Sequence, residues 1–171
     1  MLRTVAKASE ESRRIGGRLV YRRASMKRSG QSATRHAVRV RFGETDLMGI
    51  VHHAVYLSYF EAGRVEYLRR GGFDAVSWAG RGLHLPVVEA RARYRRSARF
   101  DEVLVVETSL LVVTRVTLDF GYRILRSEEL LAEGNTLLAC VGDDHAPKRI
   151  PSEAVEALVG PELLDRDEQQ V

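Results

Sequence analysis

Asp46 and His53 stand seven residues apart, with Gly49 between them, where a strand-like segment gives way to a long helical pattern. A carboxylate at a strand end, facing the unpaired amides of a helix N-terminus, suits acyl hydrolysis. Asp46 supplies a nucleophile or a general base acting on water. The first helical amides, that of His53 above all, supply a donor for the oxyanion that develops on the carbonyl oxygen. One such oriented donor is worth about 3–4 kcal/mol. Gly49 removes a side chain where a substrate must approach the backbone. His53 is near neutral at physiological pH and can orient water or the acyl carbonyl. Its plainer reading is a helix-start residue hydrogen-bonded to its surroundings. Glu44 reads as a solvated strand-end charge. His52 and His53, adjacent on a helix, point in different directions, so no metal site is expected.

The elements that must hold these residues follow from periodicity. Val38, Val40 and Phe42 alternate with basic residues, predicting a half-buried strand over 36–42. Residues 53–70 lack proline and carry Val55, Tyr56, Leu57, Tyr59, Phe60, Val65, Tyr67 and Leu68, the apolar face of a helix. Glu66 and Arg70 stand at i,i+4, and Gly71-Gly72 ends the helix. Glu61 and Arg64, at i,i+3, are expected to pair as a structural element. A short helix or turn over 73–79 precedes Gly80 and Gly82. Strand patterns then run over 83–98, 103–114, 116–126 and 130–141, the last interrupted near Glu133-Gly134-Asn135, and a short helix opens at Pro151. Short connections favour antiparallel hairpin pairing among the four long strands. One apolar helix laid on one curved antiparallel sheet is an α+β fold with a single core. Its exposed face or edge predicts a homo-oligomer.

Composition bounds the rest. A chain of 171 residues with 44% apolar content fills one ordinary domain. No apolar run reaches the roughly 18–20 residues that span a bilayer, and no secretory signal is evident. Cys140 is the single cysteine, which rules out an intramolecular disulfide and reads as a small core residue in a reducing cytoplasm. Residues 1–35 hold ten Lys/Arg against two Asp/Glu, a net of +8, whereas the remainder carries −4. The basic arm reads as a disordered extension, with Met26 an alternative start and a transit peptide disfavoured by Glu10 and Glu11. No nucleic-acid partner is expected. The domain is placed at 36–160 and a C-terminal tail at 161–171.

Arg41-Phe42-Gly43-Glu44-Thr45-Asp46, then Gly49-Ile50-Val51-His52-His53-Ala54-Val55-Tyr56 and Tyr59-Phe60-Glu61-Ala62-Gly63-Arg64, resembles the hot-dog-fold acyl-CoA thioesterases. The nearest branch is the YbgC and 4-hydroxybenzoyl-CoA thioesterase group. Pro86-Val87-Val88, Tyr94, Ala98 through Val103 and Glu107-Thr108 resemble its middle strands, so the likeness covers roughly 36–155. The resemblance implies a long central helix wrapped by a curved antiparallel sheet, assembled into dimers or tetramers with active sites between subunits. It implies hydrolysis of an acyl-CoA to free acid and CoA without cofactor or metal. The acid of the family motif falls on Asp46 and the histidine of the YbgC-like branch on His53. Gly49, Val51, Tyr56 and Tyr59 are then expected at the substrate. Arg115 occupies a turn where the hydroxybenzoyl branch places basic residues for the CoA phosphates; Lys148 and Arg149, just before the last helix, are a second such group. This chain departs from the pattern at Phe42, where YbgC-like chains often carry tyrosine, at His52, where an aromatic residue is usual, and at Ser97, where proline is common. The same motif admits two other readings: a thioesterase acting on acyl carrier protein, with Arg93, Arg95, Arg96 and Arg99 as docking patch, and a non-catalytic acyl-CoA-binding module.

Overall fold

The computed structural model describes residues 12–15, 18–21, 33–73 and 75–159. In the N-terminal extension, β1 (Ser12–Ile15) pairs antiparallel with β2 (Arg18–Tyr21). The rest of the arm read as disordered up to residue 32, and the tail at 161–171, lie outside the described residues.

The body runs β3 (Thr34–Arg39), α1 (Val55–Arg70), α2 (Ala75–Gly80), β4 (Val87–Tyr94), β5 (Val103–Val113), β6 (Thr117–Arg126), β7 (Glu129–Ala139) and α3 (Ser152–Val159). Its sheet has the order β3-β5-β6-β7-β4, and every pairing is antiparallel. Helix α1 touches β3 and β4, the two edges, as well as β5 and β6 between them. One helix reaches both edges of a five-stranded sheet only if the sheet curls around it. This is the α+β, hot-dog arrangement.

Inward residues of β5 (Leu104, Val106, Thr108, Leu110) alternate with Val105, Glu107 and Ser109 on the outer face. Tyr56, Tyr59, Phe60, Gly63, Tyr67 and Leu68 form the buried stripe of α1, at the i, i+3, i+4, i+7 spacing of a single helix face. The Phe60 ring stacks on Tyr122 with centroids 4.5 Å apart, and Tyr67 meets Phe120 edge-on at 5.5 Å. Burying each such aromatic contributes about 1.5–3 kcal/mol. Two glycines set the approach of helix to sheet. A Cβ on Gly63 would lie 2.5 Å from Thr108 Oγ1, and one on Gly134 would lie 2.6 Å from Phe60 and 2.3 Å from the Arg91 carbonyl.

Three expectations are corrected here. Gly134 does not interrupt β7: Glu133, Gly134 and Asn135 pair in register with Arg123, Tyr122 and Gly121. The glycine is there to admit the Phe60 ring. Of the four long strands only β5, β6 and β7 are joined as hairpin neighbours, whereas β4 closes the far edge against β7. The 95–102 connection crosses the end of the β6–β7 hairpin, with the amides of Arg95 and Arg96 both donating to the Leu131 carbonyl at 2.7 and 3.0 Å. Arg64 does not pair with Glu61. It turns inward, its guanidinium donating to the Tyr122 hydroxyl at 3.3 Å, while Tyr122 and Thr136 share a buried hydrogen bond of 2.6 Å. A cation beneath the sheet is thus absorbed by a hydroxyl network.

On the outer face, Arg35, Glu107, Arg123, Glu133 and Arg93 stand opposite one another across all five strands, alternating in charge. Arg123 and Glu107 meet at 2.7 Å. Exposed cross-strand pairs of this kind contribute about 0.2–1 kcal/mol each.

Candidate active site

Strand β3 stops at Arg39, three residues short of the expected reach, because the chain tightens into a 3-10 turn over Phe42–Glu44. The Glu44 carboxylate closes that turn, accepting the Arg41 amide at 2.8 Å and the Tyr59 hydroxyl at 2.7 Å. Glu44 is therefore not a solvated strand-end charge but a brace between this turn and α1. Thr45 and Val51 then bridge the two sides of a narrow loop. Within it the Asp46 amide donates to the Ile50 carbonyl and the Gly49 amide to the Asp46 carbonyl, each at 2.9 Å. Gly49 closes the loop at φ +68°, a left-handed conformation that glycine adopts without strain, and its α-carbon faces open space.

This loop presents Asp46 in one orientation. Its Oδ1 accepts the Met48 amide at 2.8 Å, the local side-chain turn aspartate favours. Oδ2 has no partner among the described residues. The carboxylate is half-buried, while Leu47 and Met48 at the loop tip are exposed, as is Phe42, whose ring meets Phe100 edge-on at 5.7 Å.

The helix begins at Val55, two residues later than its periodicity suggests. His52 donates its amide to Glu44 O and accepts the Val55 amide, both at 2.9 Å. Its Nδ1 accepts the Ala54 amide at 3.3 Å. The His53 carbonyl accepts the Tyr94 hydroxyl at 2.9 Å, and the His53 amide has no acceptor among the described residues. A donor next to a helix N-terminus, held on both sides and left open, is what oxyanion stabilisation asks for. The two histidines precede the helix rather than lying on it, so their rings do not diverge. They sit tilted against each other with centroids 4.2 Å apart.

Val51, Tyr56 and Tyr59 are buried. The Val51 amide donates to the Ala98 carbonyl at 2.9 Å, tying the loop to the 95–102 connection. The Tyr56 ring packs edge-on against Tyr94 at 5.2 Å, and burial pushes the phenols of both Tyr56 and Tyr59 up, the Glu44 hydrogen bond adding to the effect at Tyr59. Both tyrosines form the wall behind Asp46 and His53. Tyr94 and His52 belong to the same constellation and escaped the sequence reading. A strand-end tyrosine gives no local signal of what it meets, although an aromatic flanked by arginines was the available hint.

The basic candidates lie elsewhere. Arg115, in the β5–β6 turn, and Arg149 line an open cleft of about 770 Å³ together with Ser152, Glu153 and Glu156. The Ile150 amide donates to Arg115 O at 2.9 Å, stitching the two segments together. Neither guanidinium has an ionic partner among the described residues. Lys148 is set apart, 3.7 Å from Asp144. Arg115 follows the end of β5 opposite the one that pairs with Arg39, the last residue of β3 before the Asp46 turn, and Asp46 does not line this cleft.

The sequence profile of the thioesterase-like superfamily matches residues 40–158. The acyl-CoA thioesterase YbgC of Haemophilus influenzae is 36% identical over 105 residues, 61% of this chain and 77% of that protein. The acyl-CoA thioester hydrolase YbgC of Escherichia coli is 31% identical over 123 residues, 71% of this chain and 92% of that one. Among solved structures, a hypothetical protein of Thermus thermophilus superposes with a TM-score of 0.69 at 43% identity, covering 75% of this chain and 97% of the other. The class is that of thioester hydrolases built on a hot-dog fold. The chain belongs to the thioesterase-like superfamily.

No helix among the described residues is long and apolar enough to cross a membrane.

Proposed function

We propose that this enzyme hydrolyses acyl-CoA thioesters in the cytoplasm, with Asp46 as its catalytic carboxylate and the His53 amide as oxyanion donor. The observation that carries the reading is the pairing of one fixed and one free carboxylate oxygen on Asp46 with an unfilled amide at the turn into α1. Two routes use the same groups. In one, the free oxygen attacks the acyl carbon, the C–S bond breaks to release CoA thiolate, and water hydrolyses the mixed anhydride. In the other, the carboxylate takes a proton from water as its oxygen attacks the acyl carbon, and the tetrahedral intermediate collapses with C–S cleavage, the thiolate leaving as CoA and taking up the proton. In both, negative charge on the acyl oxygen falls to the His53 amide. The His53 imidazole, exposed beside the same turn, orients water or the acyl carbonyl. Gly49 and Val51 shape the loop, while Tyr56 and Tyr59 back it.

The CoA phosphates are assigned to Arg115 and Arg149; Lys148, engaged with Asp144, is the weaker candidate. On this reading the cations serve Asp46 of another copy, and the working unit is a homodimer or homotetramer. Incubation with a panel of acyl-CoAs and a free-thiol reagent tests the activity, and absence of CoA release across aliphatic and aromatic members counts against it.

Action on a carrier-protein thioester is the second reading. Its docking patch is weak here: Arg95 and Arg93 lie 2.6 and 4.0 Å from Glu133 and Arg96 lies 3.2 Å from Glu129, which leaves Arg99 without an ionic partner among the described residues. Matched CoA and carrier-protein thioesters compared at equal concentration decide between the two.

A further inference from the structure

We propose that His52 is a positioning residue that couples the active-site turn to pH: its neutral imidazole caps the turn into α1, and protonation releases it. The inference rests on the reading of Asp46 and the His53 amide as the reacting pair.

Helix α1 starts without an ordinary cap. Ala54 occupies the cap position and its methyl group accepts nothing. The missing acceptor comes from two residues upstream, where His52 Nδ1 takes the Ala54 amide at 3.3 Å. The same residue donates its own amide to Glu44 O and receives the Val55 amide at its carbonyl, each at 2.9 Å. His52 therefore holds the chain on both sides of His53, and with Tyr94 on the His53 carbonyl it aims the open His53 amide.

An Nδ1 acceptor requires the proton of neutral imidazole on Nε2. Protonation converts Nδ1 into a donor facing another donor, so the cap hydrogen bond is lost. It also sets positive charge at the positive end of a helix and against the His53 ring 4.2 Å away. The charged and titratable groups on the segments packed around this turn are few. Glu44 is committed to Tyr59 and the Arg41 amide, and Asp46 to the Met48 amide. From β4 comes Tyr94, from α1 Tyr56, and from the 95–102 connection Arg99, the Glu133-paired Arg95, the Glu129-paired Arg96, the Arg39-paired Asp101 and the Arg126-paired Glu102. None of them replaces the lost acceptor.

The test compares kcat and KM of the full chain across pH 5–9 for wild type, Asp46→Asn, His52→Asn and His52→Phe. Wild-type kcat is expected to fall toward the acid end of that series, as the Nδ1 acceptor is lost. His52→Asn carries an acceptor that does not titrate there. It should keep plateau kcat within about twofold and lose that acid limb. His52→Phe has no acceptor and should lower kcat roughly five- to tenfold at every pH with KM unchanged, in keeping with the loss of one cap. An acid limb retained in His52→Asn, or wild-type behaviour of His52→Phe beside an inactive Asp46→Asn, overturns the inference alone. A fully active Asp46→Asn overturns the underlying reading and the inference with it. Should His52→Phe not fold, the 15N shifts of His52 in the wild-type protein at pH 8 decide: Nε2–H supports the cap, Nδ1–H refutes it.

Discussion

The Tyr59 hydroxyl donates to the Glu44 carboxylate at 2.7 Å, and Glu44 lies two residues before Asp46. A buried residue of the central helix thereby fixes the turn that leads to the free carboxylate. Tyr59→Phe removes that brace and leaves a half-buried acid with only the Arg41 amide. Stability should drop by about 1–2 kcal/mol in urea unfolding, with kcat reduced several-fold and the fold intact. Unchanged kcat would show that the brace does not position the site.

Alongside the other buried phenols, Tyr56, Tyr59 and Tyr122, Tyr67 contributes to the alkaline limit. Burial pushes its phenol up to about 12, whereas the unfolded chain ionises it near 10. The stability this gives is complete below about pH 10 and is lost as pH rises toward 12, because only the unfolded state releases the proton there. Thermal unfolding followed from pH 8 to 11.5 should show this fall. Tyr67→Phe should make it shallower without removing it, while losing the hydrogen bond of 3.1 Å to the Leu158 carbonyl and so starting from a lower melting point at pH 8.

Gly134→Ala drives a methyl group into the Phe60 ring and the Arg91 carbonyl, and the backbone carbonyl cannot step aside. About 3 kcal/mol of destabilisation is expected. Gly63→Ala meets the side chains of Thr108 and Val106, which can shift, and should cost about half as much. Chemical denaturation of both variants checks the ranking, and equal costs would argue that α1 sits further from the sheet.

If the Arg115–Arg149 cleft of one copy serves Asp46 of another, two inactive variants should rescue each other. Asp46→Asn mixed with Arg115→Ala/Arg149→Ala, dissociated and reassociated, should regain a substantial fraction of wild-type rate. Mixed oligomers that stay inactive would assign the two groups to separate functions.

Much of this was legible in the chain. Apolar periodicity marks α1 to within two residues, and the strands follow from alternation because each buries one face. The placement of β4 beside β7 was not legible, since pairing across an edge depends on the path of the 95–102 connection and leaves no local pattern. Gly134 was read backwards: glycine weakens a strand in isolation, and only the incoming Phe60 ring explains it. The proposal of Asp46 and His53 as site residues rests on the spacing of acid, glycine and histidine, which is legible in the chain. The contribution of His52 stayed hidden because it depends on which nitrogen meets which amide.

The account turns on the oxygen of Asp46 that no other group engages. The rate of CoA release from the best acyl-CoA substrate should fall at least about 100-fold in Asp46→Asn, whose amide neither attacks nor accepts a proton, with KM and melting temperature close to wild type. A rate within about twofold of wild type for that folded variant would contradict the account.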